Sequence, residues 1–145
     1  MWANFWSMPK LLRFMTAHAL ACFVFLAMSV IPNDSLSIDG HHVSYVEWWS
    51  SGFGPFASLV GISGVAAGWS LLSKRKIARA TYLGFLALVM VLPYPFMGVP
   101  VYALIGVGVV AIAAAYLYRS QKVGRYFAPT STAGNDGLHR FSAKS

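Results

Sequence analysis

Apolar residues run through this chain in long blocks. Phe14 to Ile31, FMTAHALACFVFLAMSVI, contains no Asp, Glu, Lys or Arg, and neither does Phe53 to Ser73, FGPFASLVGISGVAAGWSLLS. Each is long enough to cross a hydrocarbon core of about 30 Å as a helix. Ala80 to Tyr118 is also free of charge, but a single helix over it would reach about 60 Å at 1.5 Å per residue. It must turn back. PYPFMGVP marks the place, where Pro93, Pro95, Gly98 and Pro100 interrupt helix hydrogen bonding. The pattern predicts four spans, about 14–31, 53–73, 78–95 and 99–118, with one long outer loop at 32–52.

Charge then orients the spans. Lys10 and Arg13 precede the first. Lys74, Arg75, Lys76 and Arg79 lie between the second and third, and Arg119, Lys122, Arg125, Arg140 and Lys144 follow the fourth. With four spans all of these fall on one side, while Asp34, Asp39 and Glu47 fall on the other in a loop without Lys or Arg. A three-span reading would mix the signs. The positive-inside rule puts both termini in the cytoplasm, most simply across a bacterial inner (plasma) membrane. The first apolar run exceeds the h-region of a signal peptide, and no small-x-small site follows it before Pro32, so the run is expected to stay as a span. The net charge of +7 is thereby topogenic. It is an attraction for the lipid bilayer rather than for nucleic acid. Composition agrees: 57% of the 145 residues are hydrophobic and 10% charged, against about 25% charged in soluble domains.

The loop itself is patterned. In SIDGHHVSYVEWW an Asp-Gly pair sits between alternating residues, the signal for a two-residue type I′ hairpin. Centred on Asp39-Gly40, it pairs Ile38 with His41, Ser37 with His42, Leu36 with Val43 and Ser35 with Ser44. Apolar and polar pairs then sort to opposite faces. Tyr45, Trp48 and Trp49 follow at the depth where such rings favour headgroups, and VEWWSS reads as an interfacial turn or short helix. The expected fold is an all-α integral membrane protein, a four-transmembrane-helix bundle with a short β-hairpin in the outer loop. Residues 1–125 form one membrane domain. Residues 126–145, rich in Ser, Thr, Gly and Ala and without periodicity, form a disordered cytoplasmic tail.

Candidate chemistry is sparse. Apart from Arg79 at the very start of the third, no Asp, Glu, Lys or Arg lies within a span, and buried ionisable residues are the usual mark of transport or proton chemistry in membranes. His18 and Cys22, four apart, share a helix face near the cytoplasmic end. With no second histidine in any span, a bis-histidine haem is not expected. His41 and His42 are neighbours on a strand and point to opposite faces, which makes them poor co-ligands even with Asp39 or Glu47 nearby. A structural or pH-responsive surface pair is the simpler reading. The single cysteine allows no internal disulfide, and no CxxC, HExxH, GxSxG or phosphate-cradling glycine loop occurs. Neither catalytic residue, metal nor cofactor is expected.

The spans do contain small-residue seams. Gly61, Gly64 and Gly68 recur along the second span, with GVAAG a GxxxG motif, and Gly108, Ala111 and Ala115 recur along the fourth. Such seams let helix backbones approach, within one bundle or between chains. Together with Tyr45, Trp48 and Trp49, the first seam gives the candidate partner-binding residues. His18, His41 and His42 are the candidate functional polar groups. The expected function is non-enzymatic binding of another membrane protein or toxin, as an accessory subunit, assembly factor or immunity-type inhibitor, or self-association. In span count the chain resembles DoxX-like proteins and immunity proteins against pore-forming toxins. Two alternatives are a small-solute or lipid carrier acting as an oligomer, with carbonyls of the Pro-rich turn as ligands, and a redox or quinone-linked protein using His18, Cys22 or the outer histidines.

Overall fold

The computed structural model describes residues 2–33, 35–38 and 40–128. Four helices are long and apolar enough to cross a membrane: Lys10–Val30, Phe53–Leu72, Ala78–Pro95 and Val101–Arg119. They match the four predicted spans to within a turn. The first begins earlier than its apolar run because Lys10 and Arg13 continue the helix toward the basic end of the molecule.

In detail, α1 (Trp2–Ser7) is a short N-terminal helix, and Pro9 stands just before α2 (Lys10–Ala21), where its missing N–H costs the helix nothing. The first span is interrupted at Cys22, with ψ at −12°, and resumes as α3 (Phe23–Val30). The hairpin follows as β1 (Ser37–Ile38) and β2 (His41–His42), antiparallel, with Ser37 opposite His42 and Ile38 opposite His41. The Val43 N–H donates to the Leu36 carbonyl at 3.1 Å, in keeping with the next pair of the predicted register. Gly40 has φ +82°, the sign a type I′ turn demands at its second central residue; Asp34 and Asp39 lie outside the described residues. The interfacial segment is a helix, α4 (Tyr45–Ser50). Gly52, at φ +89°, reverses the chain into α5 (Phe53–Leu72).

The third span is α6 (Ala78–Met90) and the one-turn helix α7 (Pro93–Phe96). Pro93 sits in the first turn of α7, where proline is pre-organised for a helix start. The fourth span is α8 (Pro100–Arg119), again opened by proline, and α9 (Gln121–Phe127) ends the described chain. Each span packs chiefly on its sequence neighbours, so the spans form a row in the order of synthesis. The row closes at its basic end, where Leu12 of α2, Leu71 of α5, Leu117 of α8 and Val123 of α9 are fully buried together.

One expectation changes. The disordered tail predicted from residue 126 does not begin there, because α9 runs through Phe127 and Tyr126 is buried. Its hydroxyl donates to the Leu71 carbonyl at 3.2 Å, which anchors a segment that lacks periodicity of its own. The rest of the predicted tail, 129–145, lies outside the described residues. In the Pro-rich turn the Pro93 carbonyl accepts from Met97 at 3.1 Å, Tyr94 from Val99 at 3.1 Å and Pro95 from Gly98 at 3.3 Å.

Large apolar side chains cover much of the outer surface. Phe14 is 69% exposed, Leu104 71% and Ile112 73%. Patches of this extent would drive association in water and are the ordinary covering of a helix in lipid.

Candidate functional site

At the hairpin end the three aromatic candidates converge on the last turn of α3, two of them on one buried serine. Ser29, in the last turn of α3, is fully buried. Its hydroxyl donates to the Gly54 carbonyl at 2.7 Å and accepts from the Trp48 indole N–H at 3.2 Å. The Trp49 indole donates to the Ser29 carbonyl at 3.1 Å, and the Tyr45 hydroxyl to the Val30 carbonyl at 3.1 Å. These are carbonyls of the last helical turn, which have no partner within their own helix. Trp48 also stacks on Phe53, with ring centroids 5.8 Å apart. Tyr45, Trp48 and Trp49 thus form a clasp that caps α3 and ties it to α5.

The clasp is held at its own start by local sequence. Ser44 caps α4, with its hydroxyl accepting from the Glu47 N–H at 3.2 Å, and the Glu47 carboxylate accepts from the Ser44 N–H at 2.9 Å. This reciprocal capping box fixes the angle at which the Trp pair approaches. The Ser44 backbone N–H, and after it the Ser44 hydroxyl, hold the Glu47 carboxyl below its usual range. Ser29 carries no motif of its own in the sequence; the available signal is a serine near the hairpin end of a span followed by two indoles that need acceptors.

The glycine seam of α5 is likewise filled from within the chain. A methyl group on Gly61 would lie 2.5 Å from the Leu26 Cβ and 2.6 Å from the Leu26 backbone nitrogen. On Gly64 it would meet the Ala19 carbonyl at 2.7 Å and the Cys22 Cβ at 2.8 Å, and on Gly68 the Leu20 side chain at 2.7 Å. The first span therefore occupies the face that the sequence offered to a partner. Close approach is what absent side chains allow, and here it is spent on the break in the first span at Cys22.

The second seam is different. The α8 helix packs through a narrow stripe that includes Gly106 and Leu117, both buried, with Gly106 set against the Met90 carbonyl. By helical periodicity Gly108, Ala111 and Ala115 fall on the opposite side. All three are exposed, and a methyl group on Gly108 would meet nothing within 4 Å.

The histidines do not come together. His41 and His42 are both exposed on β2. His18 is exposed on α2, its ring 6.2 Å from that of Phe85, whereas Cys22 is buried at the helix break, so the face expected for the pair divides into two environments. Among the described residues no three His, Cys, Asp or Glu side chains gather in a way that could hold a metal. An apolar cavity of about 470 Å³ lies at the hairpin end between Phe53 and Phe56 of α5 and Leu92, Pro93 and Met97 beside α7.

The class that these features define is a helical protein with four helices able to span a membrane and a small two-stranded sheet between the first two. Comparison with models of protein families, with curated proteins and with solved structures finds no match.

Proposed function

We propose that this protein is a non-enzymatic, membrane-embedded binding partner that offers its fourth span to another membrane helix. The observation that carries the reading is the contrast between the two seams. Gly61, Gly64 and Gly68 are closed by the chain's own first span, while Gly108, Ala111 and Ala115 face away from the packed side of α8 with open space before them. A helix that only faces lipid gains nothing from a stripe of small residues. A helix that meets another gains backbone approach and dispersion contact along it. Accessory subunit, assembly factor, immunity-type inhibitor and self-associating chain all use such a face.

The separation of charge supports an orientation with the basic end in the cytoplasm and the hairpin outside, in a bacterial inner membrane. Lys10, Arg13, Lys74, Arg75, Lys76 and Arg79 stand at one end of the spans, and Glu47 at the other.

The test is purification from native membranes in mild detergent, read by native mass spectrometry, with Gly108→Leu compared against Val109→Leu. Val109 is also exposed but lies well around the helix from the seam. The proposal expects a stoichiometric second chain, or a second copy, that is lost with Gly108→Leu and kept with Val109→Leu. A monomer alone, or a partner indifferent to Gly108→Leu, refutes it. The cavity between Phe53 and Met97 supports a second reading, the handling of an apolar solute or lipid chain. That reading expects solute transfer between proteoliposomes that stops when Phe56 is replaced by Trp.

A further inference from the structure

The basic end holds a cavity that the partner reading does not use. It has a volume of about 460 Å³ and lies between Ser7 at the end of α1 and Met8 after it, Lys74 after α5, and Lys122, Arg125 and Tyr126 of α9. Three cations thus face one space from two separate parts of the chain. Glu47, the only acidic side chain among the described residues, is at the opposite end of the molecule. The Ser7 hydroxyl is committed to the Asn4 carbonyl at 2.8 Å, so the cavity is a cluster of cationic donors without an internal anion.

The local folding brings those cations, all three exposed, to the rim of one open cavity. On α9, Val123 and Tyr126 are buried against the spans, and Lys122 and Arg125, one turn apart, share the adjacent face. Lys74 follows the end of α5 with φ +52°, in the left-handed region usually left to glycine at a helix end. Its N–H donates to the Leu71 carbonyl at 3.2 Å, and its ammonium lies 4.6 Å from the centre of the Tyr126 ring. A lysine is thereby held over the cavity at a position where a side chain is normally disfavoured. The depth is also set. Met8 closely precedes the first span, Lys74 closely follows the second, and Lys122 follows the fourth. The cavity therefore sits where three of the helices able to cross a membrane end, a position that in a bilayer would meet the headgroup phosphates.

We infer that this cavity binds a phosphate group, and that the phosphate is the phosphodiester of an anionic phospholipid. Lys74, Lys122 and Arg125 neutralise its oxygens, and Met8 and the Tyr126 ring line the side on which the glycerol enters. The inference needs only the four helices to be membrane spans and is independent of the docking role proposed for α8.

The full chain in a non-ionic detergent is titrated with phosphatidylglycerol, with phosphatidylcholine and with inorganic phosphate, and read by native mass spectrometry and thermal unfolding. Lys122→Gln/Arg125→Gln removes two cations from the cavity. Arg75→Gln/Lys76→Gln removes the same charge outside it. Phosphatidylglycerol is expected to bind in preference to phosphatidylcholine, with affinity reduced about tenfold or more in the cavity variant and little changed in the control. Equal losses in both variants, or no preference between the lipids, overturn the site. Stabilisation by inorganic phosphate without retention of phosphatidylglycerol overturns the lipid source and assigns the cavity to a soluble phosphate compound. Helix content by circular dichroism shows that α9 stays folded in the double variant. If it does not, Lys74→Asn, which keeps the left-handed turn and removes one cation, must show the loss instead.

Discussion

Gly61→Ala tests whether the glycine seam belongs to the chain's own packing. The added carbon would lie 2.5 Å from the Leu26 Cβ and 2.6 Å from the Leu26 backbone nitrogen. Carbon atoms pack at about 3.5–4.0 Å, so α3 must retreat by about 1 Å. Backbone cannot rotate aside as a flexible side chain does. The same retreat stretches the Ser29 hydroxyl bond to Gly54 from 2.7 Å to about 3.7 Å, outside hydrogen-bond range. Overpacking costs about 1–3 kcal/mol, and the lost bond about 1 more. The expected destabilisation is about 2–4 kcal/mol. The assay is unfolding of the purified protein in mixed micelles by sodium dodecyl sulfate, followed by helix circular dichroism. Gly84→Ala, also within a helix, is the reference, because a methyl group there meets nothing within 4 Å and helix propensity alone should make it neutral or stabilising by up to about 1 kcal/mol. If the two variants unfold at the same midpoint, α3 and α5 are not packed through Gly61 and the reasoning fails.

Other outcomes follow from the two ends of the molecule. Ser29→Ala strands the Trp48 indole N–H and the side-chain bond to Gly54 while leaving the Trp49 bond to the Ser29 carbonyl intact; it should cost about 2–3 kcal/mol and shift tryptophan emission to the red, and an unchanged spectrum and midpoint would contradict the clasp. The Glu47 carboxyl is depressed by its bonds to Ser44, so its support of α4 is complete above the ordinary glutamate value of about 4.3 and is lost as pH falls through a lower one. Tryptophan emission should titrate with a midpoint below about 4.3, and Glu47→Gln should abolish that transition; a midpoint at or above the ordinary value contradicts the capping box. Burial pushes the Tyr126 phenol up to about 12, so its hold on Leu71 is complete below about 10 and is lost as pH rises toward the shifted value. The ultraviolet difference titration between wild type and Tyr126→Phe should show one phenol ionising well above 10, and ionisation of that group near about 10 would show α9 undocked.

Span number and hairpin register were legible because each rests on a local rule. Uncharged length and the one-sided placement of Lys and Arg fix the spans, and Asp39-Gly40 with its flanking alternation fixes which residues pair. The use of the small residues was not legible. Gly61-x-x-Gly64 and Gly108-x-x-Ala111 look alike as text, yet one is filled by Leu26, Ala19 and Cys22 and the other is open. That difference depends on which helix lies beside which, and apolar spans carry little pattern to say so. The clasp was half legible: the Trp pair announced an interface, but its acceptors belong to Ser29, some 20 residues earlier in sequence. The anchoring of α9 was hidden for a similar reason, since Tyr126 reaches a carbonyl that its own neighbourhood does not contain.

The basic end of α5 has a consequence for how the chain is made. Its last carbonyls are closed by two side chains from far apart in sequence: Asn4 donates to Leu72 at 3.1 Å, and Tyr126 donates to Leu71 at 3.2 Å. The first is synthesised before the second span exists, the other after the fourth is complete. Contacts of such long range form late, because chain entropy is lost before they are gained. When α5 is made, the side chain that closes Leu72 already exists, while the Leu71 carbonyl has only its backbone partner Lys74 and waits for the Tyr126 hydroxyl. The row of helices becomes a closed structure only when α9 arrives, so a chain stopped before Tyr126 would carry all four spans and still lack its lock.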